Sequence, residues 1–176
     1  RESGSRPLSI GRVMAAGGSS NGVRAEVEVF DPGSATWSAL PPLPDQAYGF
    51  SLTTLDDGRV LAAGGQWDEP AGIAVRPYAF VFSPTTMAWS ALPSMGQQRT
   101  YHTATKLADG RVLVAGGSAI VGSGAYLAST ELFDPSTSTW SSAQSMVDPR
   151  SSHTAVEIGG RVLVAGGWGD ASEPLF

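Results

Sequence analysis

Two arginines and two tryptophans are the side chains of this sequence best suited to gripping another molecule. Arg99 and Arg150 each stand three residues ahead of a histidine, in Arg99-Thr-Tyr-His102 and Arg150-Ser-Ser-His153. A guanidinium offers a planar fork of donors for carboxylates and a flat cationic face that stacks on rings. Trp67 and Trp168 follow closely on Gly64-Gly65 and Gly166-Gly167. An indole just past a tight turn suits stacking on a sugar or anchoring a protein contact, and packing beneath its own loop is the competing role. Asp68, Glu69, Tyr126 and Asp170 lie near these tryptophans and could form a polar fringe.

Catalytic readings find less support. His102 and His153 occupy matching places and could together hold a metal, but Phe50 takes the same place in an earlier copy of the motif. Packing or a backbone hydrogen bond is therefore the expected role, with no metal and no cofactor. The chain has no cysteine, which removes disulfides, thiolate metal sites and cysteine nucleophiles from this segment. No lysine follows any Gly-Gly pair, so these are not phosphate loops. No Ser/His/Asp arrangement or close carboxylate pair suggests a hydrolytic centre.

Composition narrows the partners. The formal charge is -5, without a cluster of basic residues, which argues against nucleic acid or an anionic membrane surface. No apolar run approaches the roughly 20 residues needed to span a bilayer. Hydrophobic residues make up 41% of the chain, enough for a core, while 22 Gly and 12 Pro favour short strands and turns over long helices. The Lys-poor, Cys-free, Ser/Thr/Gly-rich composition suggests a secreted or cell-surface bacterial setting.

The elements that must position these residues repeat. Gly-Gly pairs begin at Gly17, Gly64, Gly116 and Gly166, and Trp37, Trp89 and Trp140 keep step with them. Each tryptophan follows Phe30-Asp31-Pro32, Phe82-Ser83-Pro84 or Phe133-Asp134-Pro135. A period near fifty residues with these markers predicts a propeller of four-stranded blades. Strand a is expected at Phe50–Leu55, His102–Leu107 and His153–Ile158, with strand b running into each Gly-Gly. Asp57-Gly58, Asp109-Gly110 and Gly159-Gly160 form the a–b turns, and the Asp/Ser-Pro steps open the c–d turns. The b–c segments Ser19–Ala25, Gln66–Pro77 and Ser118–Ala128 differ in length and sequence, so they are expected to be variable loops where binding resides. Trp37, Trp89, Trp140 and the matching phenylalanines are expected to fill the space between blades. Glu28 and Glu131 should accept hydrogen bonds near the Gly-Gly turns, although Phe80 replaces that glutamate in the second unit. Arg12, Arg59, Arg111 and Arg161 recur after the a–b turn and read as frame residues of one rim.

Arg-x-x-His-Thr-Ala, Gly-Arg-Val-Leu-Val-Ala-Gly-Gly, Glu-Leu-Phe-Asp-Pro and Thr-Trp, as they stand from Arg99 to Trp140, resemble a kelch repeat. The resemblance covers essentially the whole chain and extends to the central propeller of galactose oxidase. It implies an all-β kelch-type propeller with strand a lining the central channel. The expected units are 7–46, 47–98, 99–149 and 150–176. The first has at most a stub of strand a at Pro7–Ile10, and the fourth stops at Glu173-Pro174-Leu175-Phe176. Two complete four-stranded blades would thus lie between two incomplete ones.

The resemblance also implies that the rim shared by the b–c and d–a loops, where Arg99 and Arg150 lie, meets the partner. The leading expectation is a non-catalytic scaffold that recognises a protein or a glycan there. Two alternatives stand beside it. Incomplete blades could join head to tail into a ring or filament, or the chain could belong to a carbohydrate-active enzyme of mutarotase or oxidase type. The absence of cysteine weakens the oxidase form, whose copper site needs a cysteine-crosslinked tyrosine.

Overall fold

The computed structural model describes residues 11–19, 22–122 and 124–169. The stub at Pro7–Ile10, the stretch Glu173–Phe176 and Asp170 lie outside these residues. The described residues are all β and form successive antiparallel sheets. The first sheet holds β1 (Val13–Ala16), β2 (Val27–Asp31) and β3 (Thr36–Leu40). Next come β4 (Ala47–Tyr48), β5 (Ser51–Thr54), β6 (Val60–Ala63), β7 (Gln66–Glu69), β8 (Gly72–Val75), β9 (Ala79–Ser83) and β10 (Ala88–Leu92). Of these, β5, β6, β9 and β10 make a complete four-stranded blade. The following blade is β11 (Thr103–Lys106), β12 (Val112–Ala115), β13 (Thr130–Asp134) and β14 (Thr139–Ala143). A last pair, β15 (Thr154–Ile158) and β16 (Arg161–Ala165), begins another.

The inner strands β5, β11 and β15 stand side by side in sequence order, so the sheets fan out around a common axis. Among the described residues this is the partial propeller that the repeats predict, with two complete four-stranded blades between a three-stranded and a two-stranded sheet. The strands alternate between the two neighbours of their blade, as period-two side chains must. Leu61, Ala63, Ala79 and Val81 of one blade pack on Val112, Val114 and Phe133 of the next. Burying each large aliphatic or aromatic side chain in such a seam contributes about 1.5–3 kcal/mol. A second seam joins Met14, Ala16, Val27 and Leu40 of the first sheet to Trp67, Phe80 and Trp89.

The spaced tryptophans brace these seams. Trp89 Nε1 donates to the carbonyl of Pro41 at 3.1 Å, and Trp140 Nε1 to that of Pro93 at 2.9 Å, each reaching the preceding blade. Each tryptophan also packs on the phenylalanine opposite it, Trp37 on Phe30, Trp89 on Phe82 and Trp140 on Phe133. The residue two before each tryptophan, Ala35, Met87 or Ser138, takes a left-handed φ of 53–56° that closes the c–d turn.

One expectation is corrected. The segment Gln66–Pro77 is not an open loop: β7 and β8 form a hairpin, and β4 pairs with β7 through Ala47 opposite Trp67 and Tyr48 opposite Gln66. This three-stranded sheet is separate from the four-stranded sheet of the second blade. Its register depends on β4, a two-residue strand too short to show an alternating pattern in sequence.

Candidate functional site

The Gly-Gly pairs sit where the corner of the next blade crosses. Gly116 has φ 64°, and a Cβ added there would lie 2.5 Å from the carbonyl oxygen of Arg150 and 2.8 Å from the His153 ring. Only glycine fits so close a crossing. Gly117 N–H donates to that same Arg150 carbonyl at 2.8 Å, as Gly65 N–H does to Arg99 and Gly18 N–H to Ala47.

From the same corner Arg99 sends its side chain into the following blade. Nη1 donates to the carbonyls of Gly116 (2.7 Å) and Ser129 (3.1 Å), and Nη2 to Glu131 Oε1 at 2.9 Å. Glu131 also accepts from the backbone N–H groups of Gly96 and Gln97. The guanidinium is fully buried. Burial pulls it below its ordinary pKa, against the opposing pull of Glu131. Its Nη donors are therefore engaged inside the protein rather than offered on the rim. Arg150 repeats the contact, with Nη1 on the Gly166 carbonyl at 3.0 Å and Asp148 alongside.

The second blade solves the same crossing without charge. Ala47 takes the arginine place and Phe80 the glutamate place, and the Trp67 ring lies against Phe80 with its centroid 5.3 Å away. Trp67 Nε1 donates to the Gly64 carbonyl at 2.9 Å. Of the two roles open to Trp67, packing is the one it takes. Trp168 is different: its backbone pairs with Ser151 in both directions while more than half of its surface stays exposed.

Both histidines are buried. His102 Nε2 meets Ser51 Oγ, and His153 Nε2 meets Thr103 Oγ1, each at 2.9 Å and each linking one inner strand to the preceding one. Burial, with Arg99 and His153 adding to it, pushes His102 down to about 3. Burial and Arg150 push His153 down to about 4. Both rings are neutral over the physiological range. At the a–b rim Arg12, Arg59 and Arg111 pair with Asp31, Asp57 and Asp109, as frame residues would.

One opening on the loop face is a pocket of about 270 Å³ lined by Gln66, Thr100, Tyr101, Ser118, Ile120, Val121, Tyr126 and Ser151, with Gly122 and Gly124. Its floor is a polar chain. Tyr48 Oη donates to Gln66 Oε1 (2.8 Å), Gln66 Nε2 to Thr100 Oγ1 (3.3 Å), and Thr100 Oγ1 to the Gly49 carbonyl (3.2 Å). Burial, with Tyr101 nearby, raises the Tyr48 phenol above its ordinary pKa, so it stays protonated. Thr100 and Ser118 exchange both backbone hydrogen bonds, which holds the third blade's b–c segment over the corner. Tyr101, Ile120 and Val121 are exposed around the mouth, and none of the described residues lining the pocket is ionised.

Of the residues expected to bind, Tyr126 lines this pocket, and Trp168 is tied by its backbone to Ser151 on the pocket wall. Arg99, Arg150 and Trp67 turn inward. Asp68 is exposed on the β7–β8 hairpin, and its neighbour Glu69 is held by both arms of Arg76, which keeps that carboxyl below its usual range. Tyr101, Ile120 and Val121 escape sequence reasoning. Tyr101 had one available signal: it stands where the second unit has Gly49, and both take positive φ (54° and 67°) at the corner.

The profile of the Kelch motif family matches residues 99–147, which span the third blade and its approaches. The chain is 31% identical over 155 residues to an F-box/kelch-repeat protein of Arabidopsis thaliana, covering 88% of this chain and 39% of that protein. A second F-box/kelch-repeat protein of the same plant is 31% identical over 153 residues, with 85% and 42% covered. The chain thus spans about two-fifths of the length of these relatives. Among solved structures, that of YjhT superposes with a TM-score of 0.73 at 16% identity, covering 89% of this chain and 56% of that one, which is a likeness of fold. No helix among the described residues is long and apolar enough to cross a membrane. With its glycine pairs, its phenylalanine–tryptophan braces and these relatives in agreement, the chain belongs to the kelch-repeat family and is built as part of a β-propeller.

Proposed function

We propose that this segment is a non-catalytic recognition scaffold that takes a protein partner on its loop face. The observation that carries the reading is the uncharged pocket beside Tyr101, Tyr126, Ile120 and Val121, on a frame whose corner arginines are occupied internally. Aromatic and aliphatic side chains around a small polar floor suit an anchoring side chain from another protein, because they desolvate it without stranding a charge. A pocket of about 270 Å³ has room for one such side chain. Its lining holds no carboxylate to serve as an acid or base.

A photo-crosslinking amino acid at Tyr101, compared with the same group at Lys106 on the a–b side, tests this in extracts of the native source. A discrete protein adduct from position 101, lost on Ile120→Asp and absent from position 106, supports the reading. Equal or no adducts at the two positions refute it. A second reading, glycan recognition, rests on the exposed indole of Trp168 beside the hydroxyl-bearing Ser151. Binding to a glycan array that disappears with Trp168→Ala would favour it.

A further inference from the structure

One backbone bridge recurs on the loop face in three successive units, while the side chains on it change. The residue after the corner position pairs with the residue after Gly-Gly: Tyr48 with Gln66, Thr100 with Ser118, and Ser151 with Trp168. Between the first and second bridges a carboxamide spans the gap. Gln66 Oε1 accepts from Tyr48 Oη of its own bridge at 2.8 Å, and Gln66 Nε2 donates to Thr100 Oγ1 of the next at 3.3 Å. Between the second and third bridges no carboxamide stands. Ser118 holds the place of Gln66, and its hydroxyl donates to the Ile120 carbonyl at 3.0 Å. Ser151 holds the place of Thr100, with its backbone N–H and carbonyl both taken by Trp168. It is only 5% exposed and lines the pocket of about 270 Å³, and its hydroxyl has no hydrogen-bond partner among the described residues.

The pocket is thus the space that a carboxamide fills one blade earlier. We propose, resting on the reading of this pocket as a protein-recognition site, that the side chain it takes is a glutamine or asparagine of the partner, whose carboxamide donates to Ser151 Oγ as Gln66 does to Thr100. The alternatives fit the lining less well. An apolar tip would cover the Ser151 hydroxyl and leave it unpaired, which costs the full desolvation of that group. An ionised tip would enter a pocket whose described lining offers it no counter-charge. A carboxamide carries both donors and acceptors for a floor of hydroxyls and the Gln66 amide. Its short apolar stem suits the exposed Tyr101, Ile120 and Val121 at the mouth.

The probes are random peptides displayed on phage and panned on the full chain, the enriched sequences then being labelled with fluorescein and titrated into it. A consensus with one fixed Gln or Asn is expected. Exchanging that residue for Glu or Asp should weaken binding by about tenfold or more, because an unpaired charge enters the pocket. Ser151→Ala should weaken it about three- to tenfold, as loss of one neutral hydrogen bond does. Ser118→Gln supplies the carboxamide from within the chain, and should abolish binding while the thermal midpoint holds or rises. Peptides that bind the Ser118→Gln chain as well as the parent would overturn the proposal. So would a consensus fixed on another side chain in peptides whose binding Ile120→Asp abolishes, an outcome that leaves the protein-recognition reading standing. Enrichment of no peptide sensitive to Ile120→Asp would overturn both.

Discussion

Trp67 and Arg99, one on a b–c segment and the other on a corner, donate to equivalent atoms: the indole N–H reaches the Gly64 carbonyl at 2.9 Å, and the guanidinium reaches the Gly116 carbonyl at 2.7 Å. Each satisfies the first glycine carbonyl of its blade. One does so with a buried ion pair, the other with an aromatic cluster of Trp67, Tyr78 and Phe80.

Removal of half the ion pair is therefore expected to be severe. Arg99→Ala leaves Glu131 as a buried carboxylate without its cation, held only by the Gly96 and Gln97 N–H groups, and should cost about 3 kcal/mol. Adding Glu131→Phe and Ala119→Trp imports the apolar set of the second blade and should recover a good part of that loss. Urea unfolding of the single and triple variants measures both effects. No recovery in the triple variant would mean that the two solutions are not interchangeable.

Stability and binding should separate at Tyr101. Its φ of 54° is a left-handed conformation that costs a non-glycine residue roughly 1–2 kcal/mol. Tyr101→Gly relieves that strain, as Gly49 does one unit earlier, at the expense of extra freedom in the unfolded chain. The thermal midpoint should hold or rise while capture of the partner at the loop face falls. A lowered midpoint would show that the ring itself supports the corner.

Acid should weaken the fold through the two histidines. In the unfolded chain each titrates near its ordinary value of about 6.5, whereas in the fold they are held at about 3 and about 4. Between those values the unfolded state binds protons that the folded state refuses, so stability falls as pH drops from about 6.5 toward 4 and on toward 3. His102→Phe imitates Phe50 of the second unit and should flatten the decline over pH 6.5–4. Midpoint of urea unfolding against pH is the readout. An unchanged slope in the variant would assign the acid sensitivity to the carboxylates.

Glycine replacement should discriminate crossing from turn. Gly116→Ala meets the Arg150 carbonyl at 2.5 Å as well as a positive φ, while Gly58→Ala, at φ 82°, has nothing within 4 Å of its new methyl. The turn variant should lose about 1–2 kcal/mol from the backbone alone, and the crossing variant clearly more. Equal losses would mean that the corner yields to the methyl group.

The repeat, the strands, the turns and the braces were legible in the amino-acid order because each rests on local rules. Asp57-Gly58 and Asp109-Gly110 encode a–b turns, alternation sends Leu61 and Val112 into seams, and paired glycines mark backbone that must take positive φ beside another chain segment. The guanidinium of Arg99 illustrates what local rules leave open. A residue ahead of a strand can point to solvent or inward, and the choice depends on whether Glu131, thirty-two residues later, arrives opposite Val114 with the Gly116 and Ser129 carbonyls beside it. The hairpin after Gly65 depended likewise on β4, and the pocket on Gln66, Tyr101, Ile120 and Tyr126 converging from separate segments. Local sequence by itself determined which backbone each stretch adopts. Only the packing of blade on blade decided which side chains are spent holding the propeller together and which stay free to meet a partner, because burial and pairing are properties of neighbours distant in the chain.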